Sequence, residues 1–447
     1  MALNRPRDKP SAFPTFITLS FHNPLLFILC FILWLFTLLF LFSSPPPLPP
    51  ENSQCPPDIA PFFIVPIPPR FNSDLLRRCR SLNPYTDMCP HVANAGLGRL
   101  ISPSWHATHQ FLAELIFLAA ASRHPCRTHD SSASSLFLLP FYAGLYASSQ
   151  FSQPNLTLRD SLALDFASLL PLLPSWPRRH GRDHFLVLGR TSWDFMRSPA
   201  SSDDFGANPL LLLPAVQNLS VLTVERHPWQ GRHQFGIPYP SYFHPSAADE
   251  LAAWQAEVLA SHRTHLFAFV GGARPPELEK AAARAEILRQ CGASRRCLQV
   301  LCRPGSAADS CYEPDRVLSV LRRANFCMQP PGDSFTRRSV FDAVLAGCVP
   351  VFFSEHTAYT QYGWYEPAHP EEWSVLLEPD RWGRIEEELD RIPRPVLDRM
   401  RARVVEMIPR VTYAHPNASR GQLGFRDAVD VALAGLTKTV RSAGPEA

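Results

Sequence analysis

Between Leu266 and Phe353 short apolar runs alternate with helical patterns. A strand to Val270 and a Gly-Gly turn lead to a helix from Glu277 to Leu288, a strand Leu298 to Leu301 and a helix Arg316 to Arg323. A strand Phe326 to Gln329, a loop, a helix Arg337 to Ala346 and a strand Val349 to Phe353 follow. Strands separated by helices build a parallel sheet, because each crossover needs a helix to bring the chain back to the same end. In such a doubly wound sheet ligands bind beyond the carboxyl ends of the strands. The loops after Val270 and Gln329 are therefore where chemistry is expected.

Upstream, Phe62 to Val65, Leu136 to Leu139, His184 to Gly189 and Val221 to Val224 read as strands, and Thr108 to Ala121 as an amphipathic helix. This is a second, mainly parallel sheet. The segment IPYPSYFHP breaks the pattern, and Ser246 is expected to cap a helix with Leu251, Trp254 and Val258 on one face. The boundary falls there, giving domains 61–245 and 246–447. The 447 residues fit two α/β, Rossmann-like doubly wound domains facing a cleft, preceded by one transmembrane helix.

Leu25 to Phe42 is a charge-free run of 18 residues, apolar except for Thr37. At helical rise it covers roughly 27 Å, about a hydrocarbon core. A cleavable signal peptide is the competing reading, but the run exceeds the usual apolar core and the following Pro45 to Pro50 does not resemble a cleavage site. Arg5, Arg7 and Lys9 before it, against Asp8, keep residues 1–24 in the cytosol and everything after the Pro-rich stem, residues 43–60, in a lumen. Acceptor sequons at Asn155, Asn218 and Asn417 fit that side, as do ten of the eleven cysteines. Cys79/Cys89, Cys291/Cys297 and Cys302/Cys311 are close enough in sequence to pair, with other connectivities open. A net charge of +3 excludes a nucleic-acid binder held by phosphate contacts. No CxxC pair or HExxH string is present, and the HxxH at His106 and His109 lacks a third ligand nearby, so no metal site is expected.

The most informative stretch is NFCMQPPGDSFTRRSVFDAVLAGCVPVFF, Asn325 to Phe353. Gly332 lets backbone approach a ligand, Ser334 offers a hydroxyl, and the helix that follows presents N–H groups with the positive end of its dipole. Arg337 and Arg338 in that first turn are unfavourable to the dipole unless an anion lies opposite, so a diphosphate is expected there. Asp342 could take the two ribose hydroxyls of a nucleotide; an ordinary i, i+4 pair with Arg338 is the alternative. The turn FVGGARP adds Gly271, Gly272 and Arg274 from a second strand end.

This stretch, followed by AYTQYGWY, resembles the exostosin family, glycosyltransferase family 47, in its plant xyloglucan galactosyltransferase branch. PPRFN, NAGLG, HQFLAELIF, DSSASSLFLLPFYAG, GRDHFLVLGRTSWDF and IPYPSYFHP are similar to blocks of that branch in the same order. The resemblance implies a type II Golgi membrane protein of GT-B fold that inverts the anomeric carbon while moving galactose from UDP-galactose to xylosyl side chains of xyloglucan. Other Golgi glycosyltransferases are its candidate partners. It puts Arg274, Arg337, Arg338 and Asp342 at donor-contacting positions. No Asp-x-Asp motif is present, and adjacent Asp203 and Asp204 have no strand before them. UDP departure is thus expected to use arginines and helix dipoles, without a metal.

Inversion needs a base on the face opposite UDP, hence from a strand-end loop of the first domain. Asp194 in TSWDF is the first choice, where the wider family also resembles a His/Trp-Asp pattern, and Glu225 is the second; His109, Glu114 and Asp130 read more simply as structural. Trp105, Trp193 and Trp229 could stack on acceptor sugar rings or be core. The chain departs from its branch at His109, at Ser354 to His356 and in the basic ERHPWQGRHQF. Arg226, His227, Arg232 and His233 there could pair with a carboxylate, so galacturonic acid or arabinose transfer and a non-catalytic Golgi scaffold stay open.

Overall fold

The computed structural model describes residues 31, 32, 34, 54–198, 205–274, 282–302, 311 and 313–442. The expected span 25–42 lies outside these residues apart from Phe31, Ile32 and Trp34, which are helical. No helix among the described residues is long and apolar enough to cross a membrane. Asp203, Asp204 and the start of the helix expected from Glu277 also lie outside them. Pro49–Ala447 forms one compact unit.

The strands of that unit are β1 (Phe62–Ile64), β2 (Leu100–Ser102), β3 (Trp105–His106), β4 (Arg127–Thr128), β5 (Leu136–Leu139), β6 (His184–Thr191), β7 (Ser220–Glu225), β8 (Gln234–Gly236), β9 (His265–Gly271), β10 (Cys297–Leu301), β11 (Ala324–Gln329), β12 (Val349–Phe352) and β13 (Val375–Leu376). Its helices of eight or more residues are α1 (Ala113–Ala121), α2 (Ala143–Gln150), α3 (Leu156–Leu169), α4 (Ala248–Ala260), α5 (Ala282–Ala293), α6 (Pro314–Leu321), α7 (Arg338–Leu345), α8 (Arg394–Val411) and α9 (Ala428–Ser442).

Apart from the β2–β3 hairpin, every strand pairing is parallel, and the strands form two sheets ordered β4-β1-β5-β6-β7-β8 and β10-β9-β11-β12-β13. Both orders reverse direction beside the first strand, between β1 and β5 and between β9 and β11. A crevice opens at such a reversal, since the flanking loops leave toward opposite faces. Central strands are buried on both sides: β7 buries all six residues and β12 all four. The turn from α7 to β12 runs through Gly347 at φ 60°, a conformation other residues adopt at a cost.

Several boundaries shift for local reasons. The helix expected from Thr108 begins at Ala113, because Thr108 donates its hydroxyl to the Leu97 carbonyl at 2.8 Å and the chain turns there. α4 is capped at Ala247, not Ser246: Glu250 reaches back to accept the Ser246 N–H at 2.7 Å. The unforeseen strands β2, β3, β4, β8 and β13 have two or three residues, too few to show a period. The division at residue 245 separates the sheets, yet α9 returns to the first half. There Thr437 accepts the Ala60 N–H at 2.9 Å, and Asp430 meets His124 at 2.8 Å.

Cys79–Cys89, Cys291–Cys297 and Cys302–Cys311 are disulfides, as their spacing suggested. Cys55–Cys126 and Cys327–Cys348 are two more. The first of these spans 71 residues, and closing a loop of that size in the unfolded chain is worth about 4 kcal/mol in the chain-entropy account.

Candidate active site

The carboxyl ends of the two sheets meet. Glu225, the last residue of β7, is 0% exposed and accepts the Trp193 indole N–H at 2.8 Å and the backbone N–H groups of Phe335 and Thr336 at 3.2 and 2.9 Å. Phe335 and Thr336 belong to the loop that leads from β11 into α7, so a carboxylate of one half fills the entrance of a helix in the other. Burial raises its pKa, while Thr336, the Ser334 hydroxyl and Trp193 pull it back. Arg226 extends the contact, with its N–H on Gln361 Oε1 at 2.8 Å and its guanidinium on the Thr360 carbonyl at 3.0 Å.

On the second-half side three guanidiniums crowd the crevice between β9 and β11. Arg274 spans the two loops through a forked pair with Asp333, at 2.9 and 3.3 Å. Arg337 lies across Gly332 where a side chain would otherwise stand, and its Nη2 is buried without a hydrogen-bond partner among the described residues. Arg284 of α5, 5% exposed, donates to the carbonyls of Gly272 at 3.0 Å and Pro331 at 3.2 Å. Burial, then Arg337 and Arg274, lowers its pKa to about 10. Among the described residues three cations stand against one carboxylate, partly desolvated, and form a seat for an anion. Gly271 and Gly332 give the close approach that the two loops need, since a side chain at Gly271 would strike Phe269 and Arg284.

Arg338 and Asp342, expected to contact the donor, bond to each other and to the segment IPYPSYFHP. The i, i+4 alternative is what the structure contains: Arg338 Nε lies 3.4 Å from Asp342 Oδ2. Asp342, 2% exposed, also accepts the Ser241 hydroxyl at 2.6 Å. Arg338 bonds the Tyr242 hydroxyl, sits 4.5 Å over that ring and donates to the Thr108 carbonyl at 3.3 Å. Ser241 and Tyr242 lie in IPYPSYFHP, which is a strap threaded between the halves. His244 of the strap bonds Thr108 Oγ1 at 2.8 Å and the Tyr413 carbonyl at 2.8 Å.

Asp194 lies in a short turn after β6, with its Oδ2 held by Arg190 Nε at 2.7 Å and Thr191 Oγ1 at 3.3 Å. Its Oδ1 has no bond among the described residues. Glu114 is buried and caps α2, accepting the N–H groups of Gly144, Leu145 and Gly189 at 2.9, 2.8 and 3.1 Å. Burial pushes its carboxyl up to about 7 against those donors. Asp130 caps an exposed turn through Ser132. His109 is driven neutral, down to about 3, by burial and by His91 and Arg338. Asn155, Asn218 and Asn417 are all exposed; Asn155 caps α3 through Leu158 N–H at 3.3 Å. Among the described residues no group of three or more His, Cys, Asp or Glu is placed to hold a metal ion.

Two participants were missed in the sequence. Arg284 falls with Ile287 and Cys291 on the buried stripe of α5, and a cation on an apolar helical stripe is a readable signal that it meets carbonyls or an anion. Tyr239 of the strap is buried in the field of Glu225, Arg337, Asp194 and Arg190, with its pKa raised by burial first and then by Glu225. Nothing in the local pattern announces it.

The Exostosin GT47 domain matches residues 60–391 of this chain. The probable xyloglucan galactosyltransferase GT17 of Arabidopsis thaliana is 51% identical over 85% of this chain and 82% of its own length. The xyloglucan galactosyltransferase MUR3 of the same plant is 39% identical over 83% of this chain and 61% of its own. A xyloglucan-specific galacturonosyltransferase from that plant is 34% identical over 85% and 57%. With arginines lining the crevice between β9 and β11, and with that match over most of its length, the chain belongs to the Exostosin GT47 family.

Proposed function

We propose that this chain is an inverting glycosyltransferase that moves galactose from UDP-galactose to xylosyl side chains of xyloglucan. What carries this reading is the crevice of Arg274, Arg284 and Arg337, where a diphosphate would meet Arg337 Nη2, which has no partner among the described residues. The names of the relatives supply sugar and polymer. An acceptor hydroxyl attacks the anomeric carbon, the bond to UDP breaks with its electron pair leaving on the diphosphate, and a carboxylate receives the hydroxyl proton. Asp194 is the better base, because Glu225 has both oxygens engaged and no exposed surface. The arginines offset charge on the leaving UDP without a metal. The two sheets with facing carboxyl ends form the GT-B arrangement.

A uronate donor is the second reading: Arg226 is spent on the carbonyls of Thr360 and Gly231, whereas Arg232 and His233 of the same loop are exposed. The chain is also read as a type II Golgi membrane protein anchored by residues 25–42, with glycans on Asn155, Asn218 and Asn417. Protease added to sealed Golgi vesicles should then spare the bulk of the chain.

Full-length protein in detergent, given UDP-galactose, UDP-galacturonic acid or UDP-arabinose with xyloglucan oligosaccharides, should yield a product heavier by one hexose from the first alone. A uronic acid or pentose increment would overturn the sugar assignment. No increment from any donor would overturn the transferase.

A further inference from the structure

Of the three tryptophans that could stack on sugar, the structure separates the roles. Trp105 packs among Phe243 and Trp254, at 4.9 and 4.6 Å between ring centroids, as part of the core. Trp193 is fixed through its indole N–H to Glu225. Trp229 is 65% exposed.

An exposed aromatic by itself means little. This one stands on a floor of rings drawn from both halves: His227 at 5.6 Å, Trp193 at 6.4 Å, Phe335 at 5.8 Å and His356 at 5.3 Å, all near perpendicular to it. Its loop is fixed from within. His227 Nδ1 accepts the N–H groups of Trp229 and Gln230 at 3.3 and 3.0 Å, and Gly231 donates to the His227 carbonyl at 3.1 Å. Arg226 clasps the Gly231 carbonyl at 3.0 Å, and Gln234 Oε1 takes the His227 N–H at 2.8 Å. A ring held this way loses little freedom when something stacks on it.

The surroundings also choose the occupant. Glu225 and the Arg226 Nη atoms are spent on the protein, and His227 Nδ1 on its own loop, so beside them the platform presents an aromatic face. A flat apolar face of that kind matches the axial C–H face of a neutral pyranose. Through its direct contact with Phe335 the platform abuts the loop that carries Phe335 and Thr336, and hence lies beside the donor crevice.

We propose that Trp229 is the stacking platform for a neutral pyranose ring of the acceptor polysaccharide, an assignment that rests on the transferase reading above. Trp229→Ala in the full-length protein should raise KM for a xyloglucan oligosaccharide about tenfold or more, with kcat changed little and UDP affinity within about twofold. Trp229→Phe should recover most of the loss. An unchanged acceptor KM in a folded, active Trp229→Ala protein would overturn the proposal, and so would a parallel loss of UDP affinity. Should the wild type transfer no sugar, the transferase reading fails and calorimetric binding of the same oligosaccharide decides separately. Weaker binding to Trp229→Ala than to wild type supports the platform, and equal binding, or none to either, overturns it.

Discussion

Glu225 accepts the backbone N–H of Thr336 at 2.9 Å, across the junction of the two halves. The N–H groups of Phe335 and Thr336 are thereby occupied by a carboxylate of the first half. An incoming diphosphate is left the guanidiniums beside Gly272 and Gly332. A single side chain thus turns the proposed anion seat from the helix entrance to the β9/β11 crevice.

Arg337 and Arg338 should respond differently to removal. Charge-assisted hydrogen bonds are worth about 1.5–3 kcal/mol, so Arg337→Ala should weaken UDP binding by about 10-fold to 150-fold, with lysine rescuing in part for want of a planar fork. Arg338→Ala leaves the buried Asp342 with only Ser241, and breaking a buried pair costs about 3–5 kcal/mol. The expected signature is a lower melting temperature with UDP affinity close to wild type. Calorimetric titration of UDP and a thermal melt on both variants check the split; a loss of affinity confined to Arg338→Ala would reverse the assignment.

Asp194→Asn should lower turnover by at least about 10² while UDP affinity stays near normal, as expected for a base that acts only in the chemical step. Glu225→Gln should instead lower the melting temperature, because one oxygen facing Trp193 and Phe335 or Thr336 becomes a donor. Near-normal turnover in Asp194→Asn would move the base role to Glu225.

Glu114 makes stability depend on pH in a defined direction. Its folded pKa of about 7 lies above the ordinary carboxyl value, so the folded state binds the proton more tightly. Stability from this group is full below about pH 4.5 and is lost as pH rises toward 7. Glu114→Gln has no such proton, so its deficit in melting temperature relative to wild type should shrink over that interval. A deficit that grows with pH would contradict the sign.

Transfer should persist in EDTA, since the guanidiniums of Arg274, Arg284 and Arg337 are proposed to offset the charge on departing UDP. Activity lost in EDTA and restored by manganese would show metal-assisted departure.

The sequence determined the elements whose cause is local. Alternating apolar runs and helices from Leu266 to Phe353 were enough for the second sheet, because parallel strands buried on both faces leave uninterrupted apolar runs. Cys79 with Cys89, Cys291 with Cys297 and Cys302 with Cys311 were legible because short loops keep their partners close. Gly271, Arg274, Gly332 and Arg337 stood out as strand-end residues around one crevice.

Tertiary structure decided what depends on distant neighbours. Cys55 meets Cys126 only after β1 and β4 pair. Arg338 is turned to the strap because Ser241 and Tyr242 arrive beside α7, and no pattern within RRSVFD distinguishes it from Arg337. Glu225 and Thr336, separated by 111 residues, become partners only when the halves close. The exposure of Trp229 likewise follows from rings contributed by three separate loops. Spacing reports what neighbours along the chain can do, whereas the direction a charged side chain faces is set by whichever buried polar group it must satisfy.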